Sequence, residues 1–513
     1  MPTALLDFLE LNALRNPNRT CLVIGEAELS WAQLDGLVRD FAPRLLPYLP
    51  DAMAHRVAIR IADPLGFLCA FLGAISVGAA AIPLPERIRP DSLARILNDS
   101  RTDLVVADAH HLDAMRAVCQ DCPVIVYPAL EGAPRSARKH QPHPTARHHT
   151  WPDLEATLLY SSGTTTEPKG VIHTHLARRV AAARMARHFH MSDESRTLIT
   201  APIYTARALS PLLATWLIGG TAIVVDTFDT RSFIQLVTTQ RPTTLDLVPT
   251  QFLMLLADAR FSPEVFSSCQ YVLCTGSALD RSLAEDLFTL FPDSFVEGYG
   301  STETDHVACL QPRVSAEKHG SVGLPADDLQ LLILDERDAT APAGVVGEIV
   351  VSSAANLLSY VNPRVAPNAF LHFQGKRYFR TGDLGRLDED GYLWLAGRKK
   401  DMIITAGFNV YPTDIEAALL QHADVAEAAV VGLPHEVLGE TPLAFVVLRT
   451  ADDGPAVEAR ICSWVNARLS KNQTLYAVRA IDSIPRNASG KPLKEQLRLT
   501  LAHPGSPRPG LRP

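Results

Sequence analysis

The sequence predicts an α/β protein in two unequal parts. One is a large N-terminal domain of several subdomains with parallel sheets and a β-rich portion, and the other is a small α/β domain at the C-terminal end. Three observations predict this. Short apolar strand patterns alternate with helix-period segments as far as Gly300, which implies parallel sheet. Strand patterns then crowd together without helices between Leu329 and Gly397, and beyond Arg398 the strand–helix alternation resumes as a unit of its own. At 513 residues the chain is too long for one core and suggests about two to four structural units.

Residues 29–46 carry Leu, Trp, Leu, Val, Phe and Leu at helical spacing, with Ser30 placed as the N-cap. HRVAIRI and TDLVVAD read as short strands on either side of a helix over 67–77. The apolar run 67–85 is broken by Gly73, Gly78 and Pro83, so it reads as a buried helix followed by a strand and not as a membrane span. Residues 131–150, rich in Pro, Arg and His, have no apolar periodicity and read as an exposed loop. From Leu154 a strand, a Gly-containing loop and a helix from about His175 are predicted. TAIVVD, TTLDLV, YVLCTG and SFVEGYG continue the strands. LQLLILD, EIVVSS and RYFRTGDLGRLDEDGYLWLAG form the β-rich stretch, with turns predicted at Asp383, Asp390 and Gly391. Past Arg398, TDIEAALL and RICSWVNARL read as helices, EAAVVGL and LAFVVL as strands. The domains predicted are 1–396 and 397–503, with a disordered tail over 504–513.

A formal net charge of −8 lacks the basic footprint of a nucleic-acid binder. The N-terminal segment has no basic n-region and does not read as a signal peptide. Eight cysteines are scattered along the chain, and the lone Cys119/Cys122 pair is weak evidence for a metal site. Low cysteine density suits a reducing compartment, and the expectation is a cytoplasmic protein without membrane insertion.

Residues 160–171 read YSSGTTTEPKGV. Small residues let the backbone of Ser161, Ser162, Gly163, Thr164 and Thr165 turn tightly enough for N–H groups to converge on an anion. Hydroxyls add donors and Lys169 adds a positive charge. The loop is not a GxxxxGK[ST] phosphate loop. A generic Ser/Thr-rich turn would read the same in isolation.

This loop resembles the phosphate loop of the adenylate-forming superfamily, which comprises acyl- and aryl-CoA synthetases, nonribosomal adenylation domains and firefly luciferases. Further segments resemble that family in order along nearly the whole chain: GSALD at 276–280, EGYGSTET at 297–304, YFRTGDLG at 378–385, GRKKDMIITAGFNVYPTDIE at 397–416 and PRNASGKPLK at 485–494. One departure is Thr166, where the family usually has Gly.

The resemblance implies roles for these residues. Gly276, Ser277 and Ala278 would line the adenine side, with Glu297, Gly298 and Tyr299 beside the base. Thr302 would contact the α-phosphate and Glu303 would ligate Mg²⁺, since a hard cation takes carboxylate oxygen. Asp383 would bind the ribose hydroxyls and Arg398 would make a second nucleotide contact. Lys400 would be the hinge about which a mobile C-terminal domain turns between half-reactions. Residues 405–411, with Gly407, would then face a thiol tunnel, and Lys491 would stabilise the first transition state. Read without the family, Glu303 also suits a helix start, Asp383 a turn, and Lys491 a solvated lysine.

By the same resemblance, APIYTARALSPLLATWLIGG is the substrate-pocket segment, contributing Tyr204, Thr205 and Arg207, with His306 as a further lining residue. It holds no Asp or Glu to pair with an ammonium, which argues against an α-amino acid. Thr205 stands where CoA ligases often have a His gate. Arg207 suits a polar or anionic tail on the acid, and equally a structural partner or solvent. The implied activity is ATP- and Mg²⁺-dependent conversion of a carboxylic acid to an acyl-adenylate, then transfer to the thiol of coenzyme A. The alternatives are loading of a carrier protein's phosphopantetheine and a non-catalytic nucleotide-binding relative.

Overall fold

In the computed structural model the described residues are 5–49, 55–119, 122–127, 152–161, 169–225, 227–277, 279, 281–449, 455–486 and 492–502. They form a mixed α/β fold with two large sheets, a smaller antiparallel sheet and a C-terminal sheet. The exposed loop predicted over 131–150 and the tail 504–513 lie outside the described residues.

The first sheet has seven strands, in the order Ser359–Tyr360, Lys169–Thr174, Glu155–Ser161, Ala80–Pro83, Arg56–Arg60, Leu104–Ala107 and Val124–Val126. Its inner strands run parallel, as the strand–helix alternation requires. The second has nine strands, and its parallel centre comprises Phe295–Ser301, Tyr271–Cys274, Thr244–Leu247, Arg196–Ile199, Thr221–Val224 and Thr20–Ile24. The helix predicted near residue 30 is Trp31–Phe41, and Ser30 and Gln33 close a capping box at its start. The apolar run is helix Pro64–Ser76 followed by strand Ala80–Pro83. That helix is buried throughout from Gly66 to Ser76, packed on strands Arg56–Arg60 and Ala80–Pro83 and on helix Trp31–Phe41, within a core to which residues of both large sheets contribute. Among the described residues no helix is long and apolar enough to cross a membrane.

Two details differ from the sequence expectation. A strand, Lys169–Thr174, intervenes between the Gly-containing loop and helix His175–His188, and it pairs antiparallel with Glu155–Ser161. Asp383 is not in a turn but inside the long strand Lys376–Leu387 of the antiparallel sheet. TGD is good turn chemistry, yet pairing with Leu393–Arg398 on one side and Gly347–Ser352 on the other keeps the backbone extended. In the C-terminal part, strands Val425–His435 and Gly439–Leu448 pair along their length, Ala477–Ala480 joins them, and helices Pro412–Leu420 and Pro455–Asn466 share their core.

Helix His175–His188 carries two arginines buried to about the degree of a core leucine. Arg178 donates to Thr157 Oγ1 of the seven-stranded sheet (3.0 Å) and to Asp305 Oδ2 of the nine-stranded sheet (3.3 Å). Ser210 of helix Ala206–Leu217 also donates to Asp305. Arg184 donates to Asp328 Oδ1 (2.8 Å), to the His306 carbonyl (2.7 Å) and to Ser353, just past strand Gly347–Ser352 of the antiparallel sheet. Burial lowers the Arg178 pKa, and Asp305 opposes that shift. Asp305→Ala is expected to destabilise the chain by about 3–5 kcal/mol, because it leaves a buried cation unpaired. Combining it with Arg178→Met should recover a large part of the loss. Denaturant titration of the single and double variants measures both, and equal loss in the two would rule out the unpaired charge as the cause.

Candidate functional site

Strand Phe295–Ser301 delivers Tyr299 almost fully buried, and its hydroxyl donates to Asp383 Oδ2 at 2.8 Å. The other oxygen of Asp383 lies 2.6 Å from Arg398 Nε, at the end of the adjoining strand Leu393–Arg398. A strand of the nine-stranded sheet and two neighbouring strands of the antiparallel sheet thus meet on one carboxylate. Burial disfavours the Arg398 cation, but Asp383 and neighbouring acidic groups outweigh it and hold its pKa above the ordinary value.

Glu303 does not start a helix. It sits at the tip of the hairpin joining Phe295–Ser301 to Asp305–Leu310. Its backbone N–H donates to Ser301 Oγ, its carbonyl accepts from Leu357 N (2.7 Å), and Tyr360 Oη donates to its Oε1 (3.0 Å). Lys169 Nζ stands 5.6 Å from the centre of the Tyr360 ring, an attractive cation–π placement. Thr302 is half-buried at the same tip, and the wholly buried His173 lies beside the backbone of Thr302 and Glu303. Ser162, Gly163, Thr164, Thr165 and Thr166 lie outside the described residues, as do Ala278 and Lys491. Ser161 ends strand Glu155–Ser161, in register with Lys169.

A second group surrounds the ends of Thr244–Leu247 and Tyr271–Cys274. Gly276 has φ +90°, a conformation L side chains rarely adopt, and the space its side chain would enter is taken by Val248 and Arg207. Ser277 is exposed. Arg207 Nη1 lies 3.2 Å from Asp246 Oδ2, and Thr275 Oγ1 donates to Asp246 at 2.7 Å. Burial raises the Asp246 pKa, against Arg207 and Thr275. Thr205 turns its hydroxyl to the Pro202 carbonyl (2.7 Å), and Tyr204 packs half-buried on the main core. His306 is nine-tenths buried with its ring against Phe189 and His188, and burial pushes its pKa down to about 3.

Beyond Arg398, Glu348 of the antiparallel sheet accepts from Arg380 (2.6 Å) and Lys399 (2.9 Å). Lys400 follows at the surface, and desolvation together with Arg398, Lys169 and Arg498 lowers its pKa. Arg498, on the helix Lys494–Ala502, lies 3.5 Å from Asp401. Gly407 has φ +82° with open space where a side chain would be, so the turn's backbone conformation requires it. Phe408 beside it and Ile404 are about half-exposed.

Sequence reading missed Tyr360, Asp246 and His173. Each follows a plain strand or loop pattern, and only tertiary contact reveals what it touches. The available signal was weak: an Asp inside an otherwise apolar TTLDLV and a His inside GVIHTH, both polar residues at core positions.

Glu297 is buried, with one carboxyl oxygen lacking a hydrogen-bond partner among the described residues, and burial raises its pKa from 4.5 to about 8. The folded state therefore holds a proton between those values that the unfolded state has released. Its contribution to stability is fully present below the unfolded value and is lost as pH rises through the folded one. Glu297→Gln keeps a neutral polar side chain at every pH. Thermal melts of wild type and variant should agree near about pH 5 and diverge by several degrees near about pH 9, the wild type falling further. Parallel melting profiles would show that Glu297 is ionised in the fold.

The AMP-binding enzyme family matches residues 9–361, and the AMP-binding enzyme C-terminal domain matches residues 414–491. The long-chain-fatty-acid–CoA ligase FadD13 of Mycobacterium tuberculosis (strain ATCC 25618 / H37Rv) is 30% identical over 483 residues, covering 92% of this chain and 93% of that protein. The indoleacetate–CoA ligase of Aromatoleum aromaticum is 30% identical over 526 residues, covering 97% and 98%. The o-succinylbenzoate CoA synthetase MenE of Bacillus subtilis, solved with its acyl-adenylate intermediate OSB-AMP, superposes with a TM-score of 0.84 at 26% identity, over 100% of this chain and 99% of that one. With the family matched across most of its length and its fold shared with a solved relative, the chain belongs to the AMP-binding enzymes.

Proposed function

We propose that this chain is an AMP-forming acid–CoA ligase. The observation that carries the reading is the meeting of Tyr299 and Arg398 on Asp383, in a site whose other wall holds Glu303, Tyr360 and Lys169. A carboxylate flanked by a phenol and a guanidinium suits a ribose, and a cation beside a carboxylate suits a polyphosphate with its metal ion. The relatives support the acceptor, since those named above are CoA ligases or a CoA synthetase.

In the first step an oxygen of the acid attacks the α-phosphorus of ATP. The bond to the β-phosphate breaks and pyrophosphate departs with the electron pair. Lys169, Arg398 and the hydroxyl of Thr302 are assigned to the charge that builds on phosphorus, and Lys491 joins them from the C-terminal part. Gly276, Ser277, Ala278, Glu297 and Gly298 are assigned to the base. Glu303 would hold Mg²⁺. Tyr360 engages one of its oxygens, and a carboxylate oxygen is the hard donor such an ion takes. The ion, when bound, supplies neutralisation of phosphate charge. In the second step a thiolate attacks the acyl carbon, the bond to AMP breaks, and a thioester forms.

The two steps are assigned to two orientations of residues 397–503 relative to 1–396, pivoting at Lys400. Desolvation lowers the Lys400 pKa, and the nearby cations Arg398, Lys169 and Arg498 lower it further, against Asp401. Such a cluster attracts the triphosphate and loses that attraction once pyrophosphate leaves, which favours the turn. In the second orientation residues 405–411 would face the thiol.

A pyrophosphate-exchange panel across carboxylic acids, followed by thioester detection with CoA and with a holo-carrier protein, tests the whole reading. Exchange with an acid and thioester on CoA are expected, while a thioester on the carrier alone would move the activity to carrier loading. Exchange with no acid would sink the ligase reading. Lys491→Ala should slow adenylate formation by about 10²–10³-fold and leave thioester formation from supplied acyl-adenylate largely intact. Adenylation at the wild-type rate would remove Lys491 from the chemistry.

Tyr204, Thr205 and Arg207 are assigned to the acid's pocket. Arg207 is held by Asp246 on one side, and its remaining N–H donors are the proposed contact to the far end of the acid. Arg207→Ala should raise KM for polar-tailed acids by about tenfold or more, the cost of one charged hydrogen bond, and change little for aliphatic acids. A uniform small change would leave Arg207 as a structural partner of Asp246.

A further inference from the structure

We propose that His188, His306 and Cys309 form a metal-binding site for a borderline-soft divalent cation, with Zn²⁺ the best chemical match. One donor atom from each of the three lies within 4.8 Å of the others. His188 Nε2 is 2.6 Å from Cys309 Sγ, and the two imidazole rings are 5.2 Å apart, edge to face. Two imidazoles and a thiolate are the ligand set that zinc takes and that magnesium or calcium does not. Ligand atoms sharing a tetrahedral zinc stand roughly 3.3–3.7 Å apart, so side-chain rotation of about an ångström would admit the ion.

A hydrogen bond between thiol and imidazole accounts for His188 and Cys309 alone. It does not account for His306. That side chain is nine-tenths buried, and its Nε2 has no hydrogen-bond partner among the described residues. Unpaired buried nitrogens are few in native folds, and a bound ion is one thing that satisfies them; here this one lies beside a thiol and a second imidazole.

The fold also pre-positions the ligands. Cys309 lies directly across the ladder from Gly298, which has no side chain to fill the space. His188 is the last residue of its helix, and Arg184, one turn earlier on that helix, fixes the backbone carbonyl of His306. The Arg184 cation would repel an ion, but Asp328 neutralises it at 2.8 Å. With the thiol deprotonated the three ligands carry one negative charge, and water can take the fourth position. Gln311 donates to Cys309 Sγ at 3.0 Å and so orients the sulfur.

The test uses the full chain, stripped with a chelator and titrated with Zn²⁺ against a chromophoric competitor, without nucleotide. One equivalent per chain is expected. Co²⁺ in place of Zn²⁺ should show a thiolate-to-cobalt charge-transfer band in the near ultraviolet. Cys309→Ser should abolish the band, and His188→Gln should weaken Zn²⁺ binding by about tenfold or more. Cys119→Ser with Cys122→Ser should leave both unchanged, since those thiols lie elsewhere, beside strand Val124–Val126. Should Cys309→Ser fail to fold by circular dichroism, His188→Gln and the wild-type cobalt spectrum still decide. Substoichiometric binding, a cobalt complex without the band, or binding untouched by either ligand substitution would overturn the site.

Discussion

A guanidinium taken out of water must find acceptors, and helix His175–His188 buries two of them. Arg178 finds its acceptors where Thr157 and Asp305 converge, and Arg184 where Asp328, the His306 carbonyl and Ser353 converge. Those acceptors belong to three different sheets or their edges. The requirement therefore fixes how the sheets sit on one another more tightly than apolar packing would, since apolar contact tolerates sliding and a charged hydrogen bond does not.

The constraint reaches the candidate site through one residue. Asp305 adopts φ +56°, in the left-handed region that Asp tolerates better than most side chains. It closes the hairpin at whose tip Thr302 and Glu303 stand. Arg178 thus holds the base of the hairpin, while Tyr360 and the Leu357 N–H hold its tip. A hairpin tip held at both places, with the Glu303 carboxylate itself engaged by Tyr360, loses little entropy on meeting a ligand, which is the condition a metal or phosphate contact needs.

Much of this was legible in the sequence because it is local. Ser30 with Gln33, the buried helix after Pro64 and the alternating strands each declare themselves within a dozen residues. The meeting of Tyr299, Asp383 and Arg398 was legible only through family resemblance, since no spacing rule links residues 84 apart in chain. Asp383 shows the limit of local reading: Thr-Gly-Asp suits a turn, but pairing on both sides kept it extended. Tyr360 and Asp246 were illegible for a related reason, because what each does is set by a partner on another strand.

Arg207 illustrates why substrate identity is harder to read than chemistry. From the sequence it is a cation in a pocket segment, which suits recognition of a polar or anionic tail and equally a structural partner or solvent. In the fold it is paired with Asp246, itself held by Thr275, and the pair carries no net charge. An arginine so paired contributes directed N–H donors in a fixed plane more than it contributes potential. Under the ligase reading, discrimination at this end of the pocket would rest on whether the acid presents acceptors at the right place, and less on its charge. Buried polar donors left unpaired by a plain aliphatic chain would then supply the selectivity, as a site built for hydrogen bonds rejects a ligand that lacks them. The residue that decides this is Asp246, which stands 39 positions from Arg207 in a strand pattern that gives no sign of a pocket.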